Sequence, residues 1–132
     1  MKITADTNVL LRAAVEDDPH QARVAAKLLQ VADLVAVPIP VLCELVWVLG
    51  RGYKKSGDEI SGAIRRLMNS RNVVMNRQAV EAGLGLLDRG GDFADGAIAY
   101  EGEWLGAEEF VSFDTRAVSR LQSGGMKARL LQ

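Results

Sequence analysis

Short apolar runs alternate with longer helical patterns along this chain, and the alternation limits the folds that it can adopt. The runs have the length of buried strands, and their neighbours carry apolar residues at helical spacing. The runs are Lys2–Asp6, Leu34–Val37, Val73–Met75, Glu109–Phe113 and Met126–Leu130. Such alternation is typical of a parallel sheet covered by helices, so the expected fold class is α/β.

Capping signals place the helices between these runs. Asp18-Pro19 combines a capping residue with proline at the first helical position, and Gly90-Gly91 and Gly106 follow two apolar patterns as stop signals. The predicted helices are Asn8–Ala14, Pro19–Val31, Val41–Tyr53, Glu59–Ser70, Gln78–Arg89 and Phe93–Leu105.

Length and composition exclude several classes of protein. The 132 residues are enough for one domain with a single core, so we expect residues 1–132 to form one domain. The net charge of −1 gives no global reason to bind a polyanion. The single cysteine, Cys43, excludes a disulfide within the chain. We find no signal peptide and no apolar run near the ~20 residues of a membrane helix, and therefore expect a cytoplasmic protein.

Four carboxylates stand in apolar surroundings that are spread along the chain. Asp6 and Asp114 each close an apolar run, where a buried strand would end. Glu44 interrupts a segment that is apolar on nearly every helical face, which predicts a buried side chain. Asp95 precedes a run of small residues. An unpaired buried carboxylate is costly, so four of them together indicate a bound cation.

The predicted topology lets these side chains meet at one edge of the sheet. The carboxyl ends of parallel strands carry Asp6 and Asp114, the helix of Asp95 begins nearby, and Glu44 would reach in from a covering helix. The alternative is structural for each residue. Asp6 would then be a strand-end cap to Asn8, Glu44 would pair with an arginine, and Asp95 and Asp114 would be helix N-caps.

The residues around these carboxylates resemble the four motifs of PIN-domain ribonucleases. Among those proteins the chain is most similar to the VapC-type toxins of bacterial toxin-antitoxin pairs, which have a similar Asp-Asp-Pro loop before the second helix. The motifs are Asp6-Thr7-Asn8, Pro38-Ile39-Pro40-Val41-Leu42-Cys43-Glu44, Phe93-Ala94-Asp95-Gly96-Ala97-Ile98-Ala99 and Ser112-Phe113-Asp114-Thr115-Arg116.

This resemblance implies a single PIN-like domain, a three-layer α/β/α sandwich with a mostly parallel central sheet. It also implies endonucleolytic cleavage of RNA, a homodimer, and a cognate antitoxin that covers the active-site groove. The implied Mg²⁺ or Mn²⁺ ligands are Asp6, Glu44, Asp95 and Asp114. Asn8, Asp92 and Ser112 match polar positions that support such a site.

The same chemistry can be argued from the residue types. Hard divalent cations prefer oxygen ligands, and one ion or a pair can activate water and neutralise a phosphate. His20 is the only histidine and lies at a predicted helix start, which excludes catalysis by paired histidines. One cysteine and one histidine also make thiol catalysis and a Cys/His zinc site poor alternatives. A metal-bound water is the expected nucleophile.

Basic residues cluster between positions 51 and 77 and are candidates for a phosphate-binding wall. The alternative is a solvated helix face. Arg116, close to Asp114, is the better single candidate for a phosphate contact. Trp47 and Trp104 lie in apolar helical patterns, which favours the core or a dimer interface. The basic cluster consists of Arg51, Lys54, Lys55, Arg65, Arg66, Arg71 and Arg77.

Two other functions remain open from the residues alone. A metal-dependent phosphatase of the haloacid-dehalogenase type would also place an aspartate after the first strand, but it needs a second aspartate where this chain has Asn8. A non-catalytic module that binds RNA or a basic partner peptide in its acidic pocket is the second alternative. Metal binding would separate an enzyme from such a module.

Overall fold

Every pair of neighbouring strands in this protein is parallel, as the alternation of strands and helices predicts. The computed structural model describes residues 1–132. Their backbone contacts divide them into two compact units, Met1–Asn76 and Arg77–Gln132. Within each unit, strands alternate with helices, so the α/β class is confirmed.

The first unit builds a three-stranded sheet in the order β1-β2-β3. Ile3 lies opposite Val35, and Val35 in turn lies opposite Val73, so the fully buried Val35 is at the centre of the sheet. Its elements are β1 (Lys2–Thr4), α1 (Thr7–Ala14), α2 (Pro19–Val31), β2 (Leu34–Ala36), α3 (Ile39–Arg51), α4 (Gly57–Met68) and β3 (Val73–Val74).

Side-chain caps fix where these helices begin. Asp18 directly precedes Pro19, the first residue of α2, and its carboxylate accepts a hydrogen bond from the Gln21 backbone N–H. At α4, Ser56 and Glu59 form a reciprocal capping box. Each cap satisfies a backbone N–H that has no partner inside its helix, which explains why the polar loop residues determine the helix boundaries.

The second unit pairs two parallel strands beside three helices. Leu86, Ala99 and Leu121 form its buried cluster, against which Phe110 and Met126 pack. The elements are α5 (Arg77–Asp88), α6 (Phe93–Trp104), β4 (Phe110–Ser112), α7 (Thr115–Ser123) and β5 (Ala128–Leu130).

Two sequence predictions for the elements need correction. Helix α3 begins at Ile39 rather than Val41, because proline in a first helical turn removes only an N–H that has no helical partner there. Helix α7 was not predicted, although it buries Ala117, Val118 and Leu121 on one face. No helix in the structure is both long and apolar enough to cross a membrane.

Candidate active site

Asp6 stands at the point where the first strand gives way to the first helix. Strand β1 ends at Thr4, level with Ala36 of β2, and Asp6 is the N-cap of α1. Its Oδ1 accepts a hydrogen bond of 2.7 Å from the Thr7 backbone N–H. Its Oδ2 makes no hydrogen bond with the protein and the residue is exposed, so one carboxylate oxygen is available to a ligand.

Glu44 lies on the open side of α3, and the prediction that its side chain is buried was wrong. The helix buries Leu42, Leu45, Val46 and Leu49. Glu44 and Trp47 lie one turn apart on the other side, where Trp47 is 63% exposed. An exposed tryptophan made the helix look apolar all round, so the sequence pattern hid the solvated face. The structural alternative required an arginine paired with Glu44. The structure contains no such pair.

The Asp-Asp-Pro loop before α2 is held by side-chain contacts within the first unit. The Asp17 carboxylate accepts hydrogen bonds from the Tyr53 hydroxyl at 2.7 Å and from Arg12 Nη1 at 3.0 Å. The Tyr53 hydrogen bond, with the Arg12 charge, lowers the pKa of Asp17. Asp18 caps α2, so both aspartates have structural roles. His20 is exposed at the start of α2, as predicted.

In the second unit, Asp95 lies within electrostatic reach of Asp92 and Asp114. Burial raises the pKa of Asp95, and the charges of Asp92 and Asp114 raise it further. Asp95 is half-buried in the first turn of α6. This agrees with the predicted setting of Asp95, whereas Asp114 is exposed.

Helix caps orient two of these three carboxylates. Asp92 caps α6 by accepting from the Ala94 N–H, so the suggestion that Asp95 is the cap was wrong. Asp114 does cap α7, because its Oδ1 accepts from the N–H groups of Arg116 and Ala117 at 3.0 and 3.1 Å. The cap leaves Asp114 Oδ2 without a protein hydrogen bond, so capping and ligand binding are compatible in this residue.

Ser112 supports the position of Asp114. Its hydroxyl oxygen accepts a hydrogen bond of 2.9 Å from the Asp114 backbone N–H at the end of β4. This bond fixes the backbone at the strand-to-helix junction, and the cap on α7 then fixes the side chain.

The chemistry of these donors fits a hard divalent cation. Carboxylate oxygens are the ligands that Mg²⁺ takes, and a cation would favour the charged form of Asp95, which burial and the neighbouring aspartates disfavour. The structure contains no group of three or more acidic, histidine or cysteine side chains arranged to hold an ion. Mg²⁺ commonly uses only one or two carboxylates and fills its remaining positions with water and phosphate.

Comparison with known proteins places this arrangement in a family. The family model of the PIN domain matches residues 3–122, which is most of the chain. This chain belongs to the PIN domain family. The predicted PIN-like fold is thereby confirmed.

One solved structure can be compared with this PIN domain over nearly its whole length. The PIN domain is similar to the crystal structure of VapC20 from Mycobacterium tuberculosis, described as a toxin that cleaves the sarcin-ricin loop, with 18% sequence identity and a TM-score of 0.45. That similarity covers 95% of this chain and 96% of the other. No curated protein matches the chain.

The basic residues of this PIN domain differ in how freely they can meet a phosphate. Arg116 is exposed in the first turn of α7, two residues after Asp114. Lys55 lies 4.0 Å from Glu59, and Arg65 donates a hydrogen bond to the Ser61 hydroxyl. Arg66 is in the last turn of α4. Part of the predicted basic wall is therefore already engaged within the first unit, whereas Arg116 has no side-chain partner.

Proposed function

We propose that this PIN domain is a metal-dependent endoribonuclease that acts as the toxin of a toxin-antitoxin pair. The observation that carries the proposal is the setting of Asp95, where burial and then the charges of Asp92 and Asp114 disfavour the charged carboxylate. A site that gathers acids at a cost in electrostatic energy is a candidate for binding a cation. Family membership supports nuclease chemistry, which the four-motif resemblance had implied.

The proposed ligands of Mg²⁺ or Mn²⁺ are the carboxylates of Asp6, Glu44, Asp95 and Asp114. When bound, the ion would lower the pKa of water and neutralise charge on the phosphate that is cleaved. The protein's part is to orient the ligands. Oδ1 of Asp6 and Oδ1 of Asp114 each accept a hydrogen bond in a helix cap, which orients the second oxygen, Oδ2. These caps orient the ligands before any ion binds.

Four further residues support the proposed site. Ser112 fixes the backbone of Asp114, and Asp92 caps the helix that carries Asp95. Asn8 is exposed in the first turn of α1, two residues after Asp6. We assign Arg116 the phosphate contact, because its guanidinium is exposed and belongs to the helix that Asp114 caps.

The proposed partners are an RNA substrate, a cognate antitoxin and a second copy of the chain. The proposed location of the protein is the cytoplasm. Large apolar side chains on the surface support a partner contact. Trp104 is 75% exposed and the neighbouring Leu105 is 83% exposed, so the predicted core position of Trp104 was wrong and its predicted interface role stays a prediction. Exposed apolar groups of this size are candidates for contact surfaces.

The test of the proposed function is a map of new RNA ends in bacterial cells after brief induction. The wild-type protein is compared with Asp95→Asn, which keeps the side-chain shape and removes a negative charge. Glu103→Gln serves as the matched control, because it removes an exposed carboxylate from the same helix. We expect discrete new ends with the wild type and Glu103→Gln, and none with Asp95→Asn.

The outcome also decides between catalysis and binding. If the wild type and Asp95→Asn give the same RNA ends while both are folded, RNA cleavage in that host is contradicted and the non-catalytic binding module is favoured. Discrete ends in the wild type alone would establish the nuclease and identify its substrate.

A further inference from the structure

Arg89 and Arg120 lie at the carboxyl-terminal ends of α5 and α7, and each side chain contacts the end of the other helix or the turn that follows it. The guanidinium of Arg89, which directly follows α5, lies against Gly124 at the end of α7, where an added Cβ would overlap it. Arg120, in the last turn of α7, reaches back to the turn after α5. Its Cδ would lie 3.0 Å from a Cβ on Gly91, and its Nη2 would lie 3.9 Å from a Cβ on Gly90. The two side chains therefore occupy one region of the surface.

Neither arginine has an acidic partner. The ion pairs in the structure involve other residues, and no hydrogen bond is made by either guanidinium. Arg129 in the same unit shows the contrasting case, since its Nε donates to Glu109 at 2.8 Å. Two unpaired positive charges in one region of the surface favour contact with an anion.

Glycines lie close to both arginines and leave room for their side chains. Gly90 has a φ of +81°, a conformation that side chains rarely adopt, and it lets the chain turn from α5 toward α6 close to Arg120. Gly91 packs on the aliphatic stem of Arg120, while Arg89 is exposed. Each guanidinium group offers several N–H donors in one plane, which suits the oxygens of a phosphate.

Both arginines are close along the chain to an aspartate of the carboxylate cluster, which consists of Asp92, Asp95 and Asp114. Gly91 directly precedes Asp92, which caps α6. Arg120 follows Asp114 by six residues along α7, a rise of about 9 Å at 1.5 Å per residue. That distance corresponds to about three nucleotides of a stacked strand, at an axial rise of about 3.4 Å each. One RNA strand can therefore reach the acids and the arginines together.

We propose that Arg89 and Arg120 form a second phosphate-binding site, which holds the RNA backbone beside the carboxylates of the second unit. The proposal rests on the proposed ribonuclease function. The ligand is a backbone phosphodiester, so the site contributes affinity without reading the base sequence. A phosphate that contacts both guanidinium groups would give each of them the anionic partner that the protein itself does not supply.

The test measures the salt dependence of RNA binding. A fluorescent single-stranded oligouridylate is titrated with Asp95→Asn protein, which is not expected to cleave it, over a series of NaCl concentrations. Each phosphate contact on a single strand changes the slope of log K against log salt by about 0.7. Arg89→Gln/Arg120→Gln is expected to reduce the slope by about 1.4. Arg129→Gln, which removes the same charge from a paired arginine, is expected to leave the slope unchanged.

A charge-conserving variant separates binding from structure. Arg89→Lys/Arg120→Lys is expected to keep the slope of the parent, because lysine also displaces counterions. If the double glutamine variant is folded and has the same slope as Arg129→Gln, the arginine site is overturned while the ribonuclease proposal stands. If the parent protein binds no RNA, both proposals are overturned together.

Discussion

Asp95 occupies a position in the first turn of α6 that disfavours its charge. Burial and the charges of Asp92 and Asp114 raise its pKa. The folded protein therefore holds this proton more tightly than the unfolded chain does. It follows that Asp95 favours folding most at acid pH, and that this contribution is lost as the pH rises through the raised pKa.

Replacing Asp95 by asparagine is therefore expected to keep the fold and to raise the stability at neutral pH. We expect a gain of about 0.5 kcal/mol, the scale of a partly solvated charge interaction. The gain should shrink as the pH falls toward the ordinary pKa of an aspartate, because the wild-type carboxyl is then protonated. Thermal unfolding of both proteins across a pH series measures this effect. A variant that fails to fold would show that Asp95 is structural and would weaken the metal-site proposal.

Asp114 is the N-cap of α7 and a proposed metal ligand, and two substitutions separate these two roles. Asp114→Asn retains an oxygen that can accept from the Arg116 and Ala117 N–H groups, so we expect stability within a few tenths of a kcal/mol and a large loss of cleavage. Asp114→Ala loses the cap as well and is expected to cost about 1 kcal/mol. Chemical denaturation and a cleavage assay on the same preparations measure both. Equal stability of the two variants would argue against the cap.

At the scale of elements, the sequence predicts what local rules determine. Helix α2 has the predicted bounds, because Asp18 and Pro19 specify its start through a hydrogen bond and a fixed φ. Helix α7 carried a comparable signal in Asp114 followed by buried Ala117, Val118 and Leu121. The alternative in which Asp114 is a helix N-cap implied a helix at this point, but the predicted helices did not include it.

Local sequence rules did not predict which face of α3 is exposed to solvent. Its sequence is apolar on most faces, and hydrophobic residues alone do not determine which face packs on the sheet. Glu44 was correctly singled out as a polar residue in an apolar helix, but its exposure depends on the packing of Leu42, Leu45 and Leu49. Residue types therefore identified the candidate ligands, whereas their burial required the tertiary structure.

Glycines on both helices allow α5 and α6 to pack closely, and Gly96 makes the approach to backbone. A Cβ on Gly96 would overlap the carbonyl oxygen of Ala82, which is backbone and yields little. We expect Gly96→Ala to destabilise the protein by about 1–3 kcal/mol. Gly102→Ala is the control in the same helix, where nothing lies within 4 Å of the added Cβ, and it should stabilise by about 0.5–1 kcal/mol. Denaturant unfolding compares the two, and the same sign for both would contradict the close approach.

At the scale of the whole molecule, the proposed metal site predicts stabilisation by ligand. Mg²⁺ at about 100 times its Kd should raise the free energy of unfolding by about 2.7 kcal/mol. Asp95→Asn should lose most of this gain, because it lacks a charged ligand, and Glu103→Gln should keep it. Thermal shifts measured over a Mg²⁺ series test this without any RNA. An equal shift in all three proteins would indicate that the ion binds elsewhere.

The two tryptophans lie on exposed surfaces, one in each compact unit. Indole fluorescence depends on contact with water, and Trp47 and Trp104 are already 63% and 75% exposed in the folded state. Their emission should therefore change little on unfolding and more when a partner covers them. Single-tryptophan variants would give each unit its own optical reporter of association.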